Sequence, residues 1–182
     1  NIINVENIVG KRSSVQNVTG NIILQNGKLF QTDLSGYFNE DDKIDFIYTD
    51  QDDVFPIDLG INTNNAGEFF KFIGVYTKAL SGSMQLRAQG PAINNLTGKL
   101  FINDFNISGD TTLLSLFAAS GPSPELSSIE QVGFKKLDID FSLTNGSIFV
   151  DQSLLDGPNV RMSFSGPVNQ ETGFFKISGN YC

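Results

Sequence analysis

Strict alternation of apolar and polar residues is the most regular feature of this chain. Over Lys136 to Leu143 every second residue is apolar, and after the turn Thr144-Asn145-Gly146 a second run returns over Ser147 to Val150. An Asn-Gly pair between two alternating runs is typical of a tight β-hairpin, because both central residues of that turn take positive φ. The segment therefore predicts two antiparallel strands with one apolar face and one polar face.

The same two-residue period recurs along most of the chain. It is clear over Ile44 to Thr49, Ile57 to Ile61 and Met84 to Ala88, and it returns over Val160 to Ser165 and Phe174 to Ser178. Short apolar runs separated by Gly- and Asn-containing turns favour an antiparallel meander. We therefore predict a mainly β (α+β) fold built on one curved antiparallel sheet.

A first helix is predicted where the two-residue period breaks, over Ala66 to Leu80. Asn65 precedes it as a helix cap, and Glu68 occupies the third helical position, as in a capping box. The apolar residues that share one face of this helix are Phe69, Ile73, Tyr76 and Leu80, and Phe70 and Phe72 widen that face.

A second helical region is predicted to follow Asp110. Thr111 to Ser120 is apolar on nearly every side, which favours burial. A shorter helix is predicted next, with Ser123 as its cap and Pro124 at its first position. We expect these two or three short amphipathic helices to lie on the apolar face of the sheet. The chain is interpreted as one fragment, 1–182, with strands over 1–60, a helix over 65–80, strands over 83–107, helices over 111–131 and a closing meander over 135–181.

Composition narrows the possible chemistry. The chain has 182 residues and a net charge of −8, with no His, no Trp and a single Cys at position 182. The absence of His removes His-based triads and most zinc and iron sites, and the acidic balance disfavours nucleic-acid binding. The acidic runs Glu40-Asp41-Asp42 and Asp50-Gln51-Asp52-Asp53 lack the spacing of a calcium loop, so we interpret them as solvated turns. We expect no enzymatic activity, no cofactor and no metal site.

The order of several motifs resembles a known family over roughly residues 60 to 182. The passages that carry the resemblance are Asn65 to Tyr76, Leu80 to Leu86 (LSGSMQL), Gly98 to Phe105 (GKLFINDF), Leu113 to Phe117, and the glycines and alternating residues from Gly133 to Gly166. In that order and spacing the chain resembles the AsmA-like family, YhdP branch. Residues 1 to 60 share only the general pattern of strands with it.

The resemblance implies a part of a larger envelope protein of Gram-negative bacteria. In that family an inner-membrane anchor precedes a long periplasmic sheet, which forms an open β-groove that carries phospholipid acyl chains between the inner and outer membranes. The expected partners are therefore phospholipid acyl chains and the rest of a longer, anchored chain, and the expected location is the periplasm. A start at Asn1 and an end at Cys182 fit a C-terminal periplasmic portion of such a protein.

The candidate site is the apolar lining itself, whose role would be burial and not chemistry. Its predicted members are Phe69, Phe70, Ile73, Leu113, Leu116, Phe117, Leu137, Ile139, Phe141, Met162 and Phe164. With 16 Phe against 4 Tyr, the aromatic content suits dry, apolar contacts. Two alternatives stay open. One is a structural or adhesion-type envelope domain with a closed core and no lipid. The other is a carbohydrate-active enzyme, because the distance between two paired catalytic carboxylates depends on the fold and cannot be deduced from their spacing in the sequence.

Overall fold

The computed structural model of the chain describes residues 1–50, 56–111, 131–157 and 161–168. Every strand of this part belongs to one antiparallel sheet, which confirms the predicted mainly β, antiparallel architecture. The strands, numbered β1 to β12 in chain order, are Ile2–Val9, Ser14–Gln25, Lys28–Tyr37, Lys43–Asp50, Ile57–Thr63, Ala79–Leu80, Ser83–Ala92, Asn95–Ser108, Gln131–Thr144, Ser147–Asp156, Arg161–Met162 and Gly166–Pro167.

Consecutive strands lie side by side along an open path, β1-β2-β3-β4-β5-β7-β8-β9-β10-β11. The short strands β6 and β12 pair with β8 and β10 beside this path. At the β9–β10 turn Asn145 and Gly146 have φ of 51° and 83°, which confirms the predicted tight hairpin. Asn26 and Gly27, between β2 and β3, repeat this geometry.

The helix α1 spans Ala66–Ile73, so it is shorter than predicted. It ends because Gly74 adopts a left-handed conformation with φ of 73°, and its N–H closes the last turn on the carbonyl of Phe70 at 2.8 Å. Tyr76 and Leu80 therefore lie beyond the helix, and Leu80 belongs to β6. The prediction of a single helix over Ala66 to Leu80 was wrong at its C-terminal end.

Of the two or three predicted helices, the described residues contain α1 alone. The second and third were predicted over 111–131, and residues 112–130 lie outside the described part. The last run of the predicted meander, Phe174 to Ser178, also lies outside it.

Two strand residues with positive φ change the direction of the side chains. Val15 and Val18 are three residues apart in β2, yet both are buried in the same cluster, and Asn17 between them has φ of 52°. Ile102 and Phe105 of β8 behave alike around Asp104, whose φ is also 52°. A regular strand would place residues three apart on opposite faces. These local changes keep the apolar side chains on one face of the sheet.

The opposite, polar face carries ion pairs between neighbouring positions. Lys99 lies beside Asp140 in the register of β8 and β9, and their charged atoms are 2.6 Å apart. Lys136 contacts Asp138 at 3.0 Å and lies 5.1 Å from the centre of the Phe101 ring. Such exposed pairs stabilise a fold by about 0–1 kcal/mol each, so the stability of the sheet comes mainly from its apolar face.

Candidate functional site: the apolar face of the sheet

The N-terminus of α1 is held by its predicted cap. The side-chain Oδ1 of Asn65 accepts a hydrogen bond from the N–H of Glu68 at 3.1 Å, which confirms the capping role of Asn65. The reciprocal half of a capping box is absent, because the N–H of Asn65 donates to Thr63 Oγ1 at 3.1 Å. The Asn65 amide also donates to Asp42 at 2.7 Å and so ties the helix to the turn between β3 and β4.

The loop between β1 and β2 holds α1 from one side. The N–H of Lys11 donates to the carbonyl of Phe72 at 2.8 Å, and the Ser13 hydroxyl donates to the Glu68 carboxylate at 2.8 Å. In the strand order β2 lies three places from β5, the strand that precedes α1. The sheet therefore has to curve for this loop to reach the helix.

The segment around β6 holds α1 from the other side. The N–H of Ala66 donates to the carbonyl of Gly82 at 2.7 Å, and the N–H of Gly67 donates to that of Ser81 at 3.2 Å. A β-carbon on Gly67 would lie 2.6 Å from the carbonyl oxygen of Ala79. Only glycine permits so close an approach of two backbones, so this end of the apolar face is closed by a helix that is fixed on both sides.

Beneath α1 lies the main cluster of buried apolar residues. It draws side chains from strands at both ends of the sheet and from the helix. Its buried members are Val15, Val18, Phe38, Ile61, Ala66, Phe69, Met84, Ile102, Phe105, Ile107, Phe134, Leu155 and Met162.

Most of the predicted lining residues that the structure describes belong to this closed core. Phe69 and Met162 are buried within the main cluster, and Phe70, Leu137 and Phe164 pack against it. Ile139 is buried on the same face of β9. Ile73, near the end of α1, keeps 37% of its surface exposed. Leu113, Leu116 and Phe117 lie outside the described residues.

A second apolar cluster lies on the same face, toward the strand ends remote from α1, and we call it the distal cluster. It comprises buried Ile57, Ala88 and Leu96 with half-buried Tyr48, Leu59, Leu86, Phe141 and Leu143. No residue of α1 belongs to it. Of the predicted lining residues that the structure describes, Phe141 is the one that belongs to this cluster. Its ring lies against Gly98, and a β-carbon on that glycine would be 2.7 Å from Phe141 Cζ.

The other members of the distal cluster were absent from the predicted site. Alternation had placed Tyr48 and Leu59 on one face of their strands, but the facing strands were unknown. In the structure Tyr48 lies opposite Leu59, and Leu59 lies opposite Ala88. Only the register of five adjacent strands shows that these side chains meet Leu143 and Phe141.

Buried polar groups on the described part of this face are satisfied within the chain. Thr32 and Thr63 donate to backbone carbonyls at 3.0 and 2.7 Å, and Ser153 both donates to and accepts from the backbone of Phe164. The Tyr76 hydroxyl donates to Asp110 at 2.7 Å, and burial together with this carboxylate raises the pKa of Tyr76 well above its usual range. The face therefore offers apolar contact to a ligand and no free buried polar side chain among these residues.

The first acidic run forms a turn against the helix. Asn39 Oδ1 accepts hydrogen bonds from the N–H groups of Asp41 and Asp42, both at 3.0 Å. Asp52 and Asp53, in the second run, lie outside the described residues. Among the residues with described coordinates, no three acidic or cysteine side chains converge in the manner of a metal site.

The carboxylate of Glu68 links α1 to the β1–β2 loop. It accepts from Lys71 Nζ and from the Ser13 hydroxyl, each at 2.8 Å. Burial by itself raises the pKa of Glu68, but the hydrogen bonds from Lys71 and Ser13 outweigh it and hold the pKa below its usual value. The ionised carboxylate thus stabilises the fold above the unfolded-state pKa of about 4.3. That contribution is lost as the pH falls through the lower folded-state pKa.

We expect Glu68→Gln to lower the unfolding free energy by about 1 kcal/mol at pH 7. The difference from the parent chain should shrink as the pH falls below about 4, where the parent also loses the charge. Urea denaturation at a series of pH values measures both effects. Glu6→Gln, at an exposed position of β1, serves as the control for loss of a surface carboxylate and should change the unfolding free energy at pH 7 by less than about 0.5 kcal/mol. A constant difference at every pH would contradict the role of the carboxylate charge.

None of the helices in the described ranges is long and apolar enough to cross a membrane. The chain matches no family model, no curated protein and no solved structure. The resemblance to the AsmA-like family therefore stays a prediction that rests on the motifs between residues 60 and 182.

Proposed function

We propose that this chain is a non-enzymatic, lipid-sheltering segment of an envelope protein, and that the distal cluster contacts phospholipid acyl chains. The observation that supports this most is the division of the apolar face. One end is closed by α1, whereas Tyr48, Leu59, Phe141 and Leu143 at the other end remain half-buried on the same continuous surface.

The chemistry of the distal cluster suits acyl chains. Its side chains are aliphatic or aromatic, and Tyr48 supplies its only hydroxyl. Burial of each methylene of an acyl chain stabilises a complex by about 0.8 kcal/mol, so measurable binding requires that roughly ten methylenes lie along Phe141, Leu143 and the neighbouring side chains of the distal cluster. The helix-covered main cluster would then mark the closed end of the groove.

The cellular setting follows from the resemblance and is part of the same proposal. The segment would lie in the periplasm of a Gram-negative bacterium, within a longer chain anchored in the inner membrane. There it would shelter or conduct phospholipids between the inner and outer membranes. The AsmA-like motifs from Asn65 to Gly166 support this setting.

We expect Phe141→Asp to abolish acyl-chain binding. Phe141 lies opposite both Gly98 and Val150 in the register, and its ring lies against Gly98 within the distal cluster. A carboxylate there would have to be desolvated under a bound acyl chain, which costs several kcal/mol. Native mass spectrometry and lipid extraction of the purified protein measure the bound phospholipid.

The matched control is Phe149→Asp. Phe149 lies opposite Ser142 on the polar face of β10 and is 45% exposed. This variant should retain its lipid, and circular dichroism should show both variants folded. Equal lipid content in the folded Phe141→Asp variant and in the parent chain would refute a lining role. In the full-length protein, Phe141→Asp should reduce the supply of lipid to the outer membrane, whereas Phe149→Asp should leave that supply intact.

A second candidate function is a structural envelope domain with a closed core. It is favoured by the position of Phe69, Leu137, Met162 and Phe164 in or against the helix-covered main cluster. Under this alternative the purified protein carries no phospholipid, and Phe141→Asp changes stability alone. The native mass spectra described above therefore distinguish the two functions.

A further inference from the structure

Tyr48 brings a hydroxyl group to the otherwise apolar distal cluster. The side chain is half-buried, and no residue with described coordinates is a hydrogen-bond partner of its hydroxyl. Every buried side-chain oxygen of the described part has a partner, so the Tyr48 hydroxyl reaches the surface. Thr32 lies opposite Tyr48 on β3, but its hydroxyl donates to the carbonyl of Asn21 at 3.0 Å. Tyr48 therefore offers an available hydrogen-bond donor at the β4 side of the cluster.

The distal cluster extends farther across the strands than along them. The residues that face one another across five strands are Tyr48, Leu59, Ala88, Gly98 and Phe141. Four strand spacings of about 4.8 Å separate the ends of this row by roughly 19 Å. Along β5, in contrast, the next residue on the same face after Leu59 is Ile61, which is buried in the main cluster. An acyl chain of about 15 Å, half the thickness of a bilayer core, therefore fits across the strands with one end at Tyr48.

A carboxylate lies close to the Tyr48 end of this row. Asp50 follows two residues later in β4, so its side chain is on the same face of the sheet. Burial and the Asp50 carboxylate both raise the pKa of Tyr48, so the hydroxyl keeps its proton at neutral pH. The same carboxylate disfavours a second anion beside the hydroxyl. An uncharged acceptor, such as an ester carbonyl, suits this position better than the carboxylate of a free fatty acid.

We propose that the Tyr48 hydroxyl donates a hydrogen bond to the ester carbonyl of a bound acyl lipid. The ester would then lie at β4 and the acyl chain would run across the sheet toward Phe141. The site would thus select ester-linked lipids over ether-linked lipids and over free fatty acids. This inference rests on the proposed function, because it gives the acyl chain in the distal cluster a direction.

The test compares three probes whose chains have equal length: monopalmitoylglycerol, the hexadecyl ether of glycerol, and palmitate. Their binding to the purified chain is measured by displacement of a neutral polarity-sensitive dye, whose own affinity is determined for each variant. We expect the parent chain to bind the ester about five-fold more tightly than the ether, which lacks the carbonyl. Tyr48→Phe should bind the ester and the ether equally.

Two further variants separate the hydroxyl from the nearby charge. Tyr37→Phe is the matched control, because Tyr37 is 38% exposed and lies on the opposite face of the sheet. This variant should retain the preference for the ester. Asp50→Asn removes the carboxylate and should raise the affinity for palmitate relative to monopalmitoylglycerol about three-fold.

The outcomes distinguish this inference from the proposed function. If none of the three probes displaces the dye, both are overturned. If the parent binds the ester and the ether equally, or if the preference survives in Tyr48→Phe, the role of Tyr48 is overturned while the acyl-binding face stands. Should circular dichroism show Tyr48→Phe to be unfolded, the comparison of ester with ether in the parent chain decides. Tighter binding of palmitate than of the ester by the parent would likewise overturn the proposed selection.

Discussion

Replacement of Phe105 by alanine is expected to lower the unfolding free energy by about 3–5 kcal/mol. Phe105 and Phe134 are each 3% exposed, and their rings stack at 5.1 Å between centres with an interplanar angle of 17°. The pair joins β8 to β9 beneath the helix, so truncation leaves a cavity in the main cluster. Because domains are stable by only about 5–15 kcal/mol, the urea midpoint should fall sharply.

Phe149→Ala is the matched control for this measurement. It removes the same atoms from a side chain that is 45% exposed on the polar face, and we expect a loss below about 1 kcal/mol. Equal losses for the two variants would contradict a core centred on the Phe105–Phe134 stack. The slope of the denaturation curve should stay constant in both variants if they unfold in two states.

Gly67→Ala is expected to destabilise the protein by about 1–3 kcal/mol, opposite to the usual effect in a helix. Alanine in place of glycine ordinarily favours a helix by about 1 kcal/mol. At Gly67, however, a β-carbon would lie 2.6 Å from the Ala79 carbonyl oxygen and 3.0 Å from Leu80 Cα. Both are backbone atoms, so α1 would have to move away from β6. Thermal denaturation and increased binding of a hydrophobic dye would report this displacement.

Gly133→Ala provides the control for added volume. A β-carbon there would meet only the side-chain oxygen of Asn106, at 3.0 Å, and that side chain can rotate away. We expect a change within about 0.5 kcal/mol. A stabilised Gly67→Ala variant would show that the contact between α1 and β6 is looser than the two backbone hydrogen bonds indicate.

The sequence pattern predicted the N-terminus of α1 correctly and its C-terminus incorrectly. Asn65 is a local signal and caps the helix as predicted, whereas the Glu68 half of the capping box did not form. The apolar period continued through Tyr76 and Leu80, so the helix was predicted to continue as well. Gly74 ended it, and Tyr76 instead contacts Asp110, 34 residues along the chain. Contacts between residues so far apart in the sequence cannot be deduced from local periodicity.

The positive φ angles within β2 and β8 were also not predictable from the sequence pattern. Asn17 and Asp104 are residue types that tolerate positive φ, but nothing local required it of them. Their conformation allows Val15 with Val18, and Ile102 with Phe105, to enter one core. Burial of the second apolar residue of each pair outweighs the modest strain, which is a property of the assembled sheet.

Alternation alone was enough to establish that this chain forms antiparallel strands with one apolar face, because side-chain direction in a strand has a period of two residues. The Asn-Gly pair and the capping residue Asn65 also predicted the Asn145-Gly146 turn and the start of α1, since both features depend on neighbours in the chain. None of these local patterns showed which part of the apolar face is covered. That depends on curvature, on the approach of the β1–β2 loop to α1, and on the register that groups Phe141 with Tyr48 and Leu59. These arise from contacts between residues far apart in the chain, and they separate the closed core from the distal cluster.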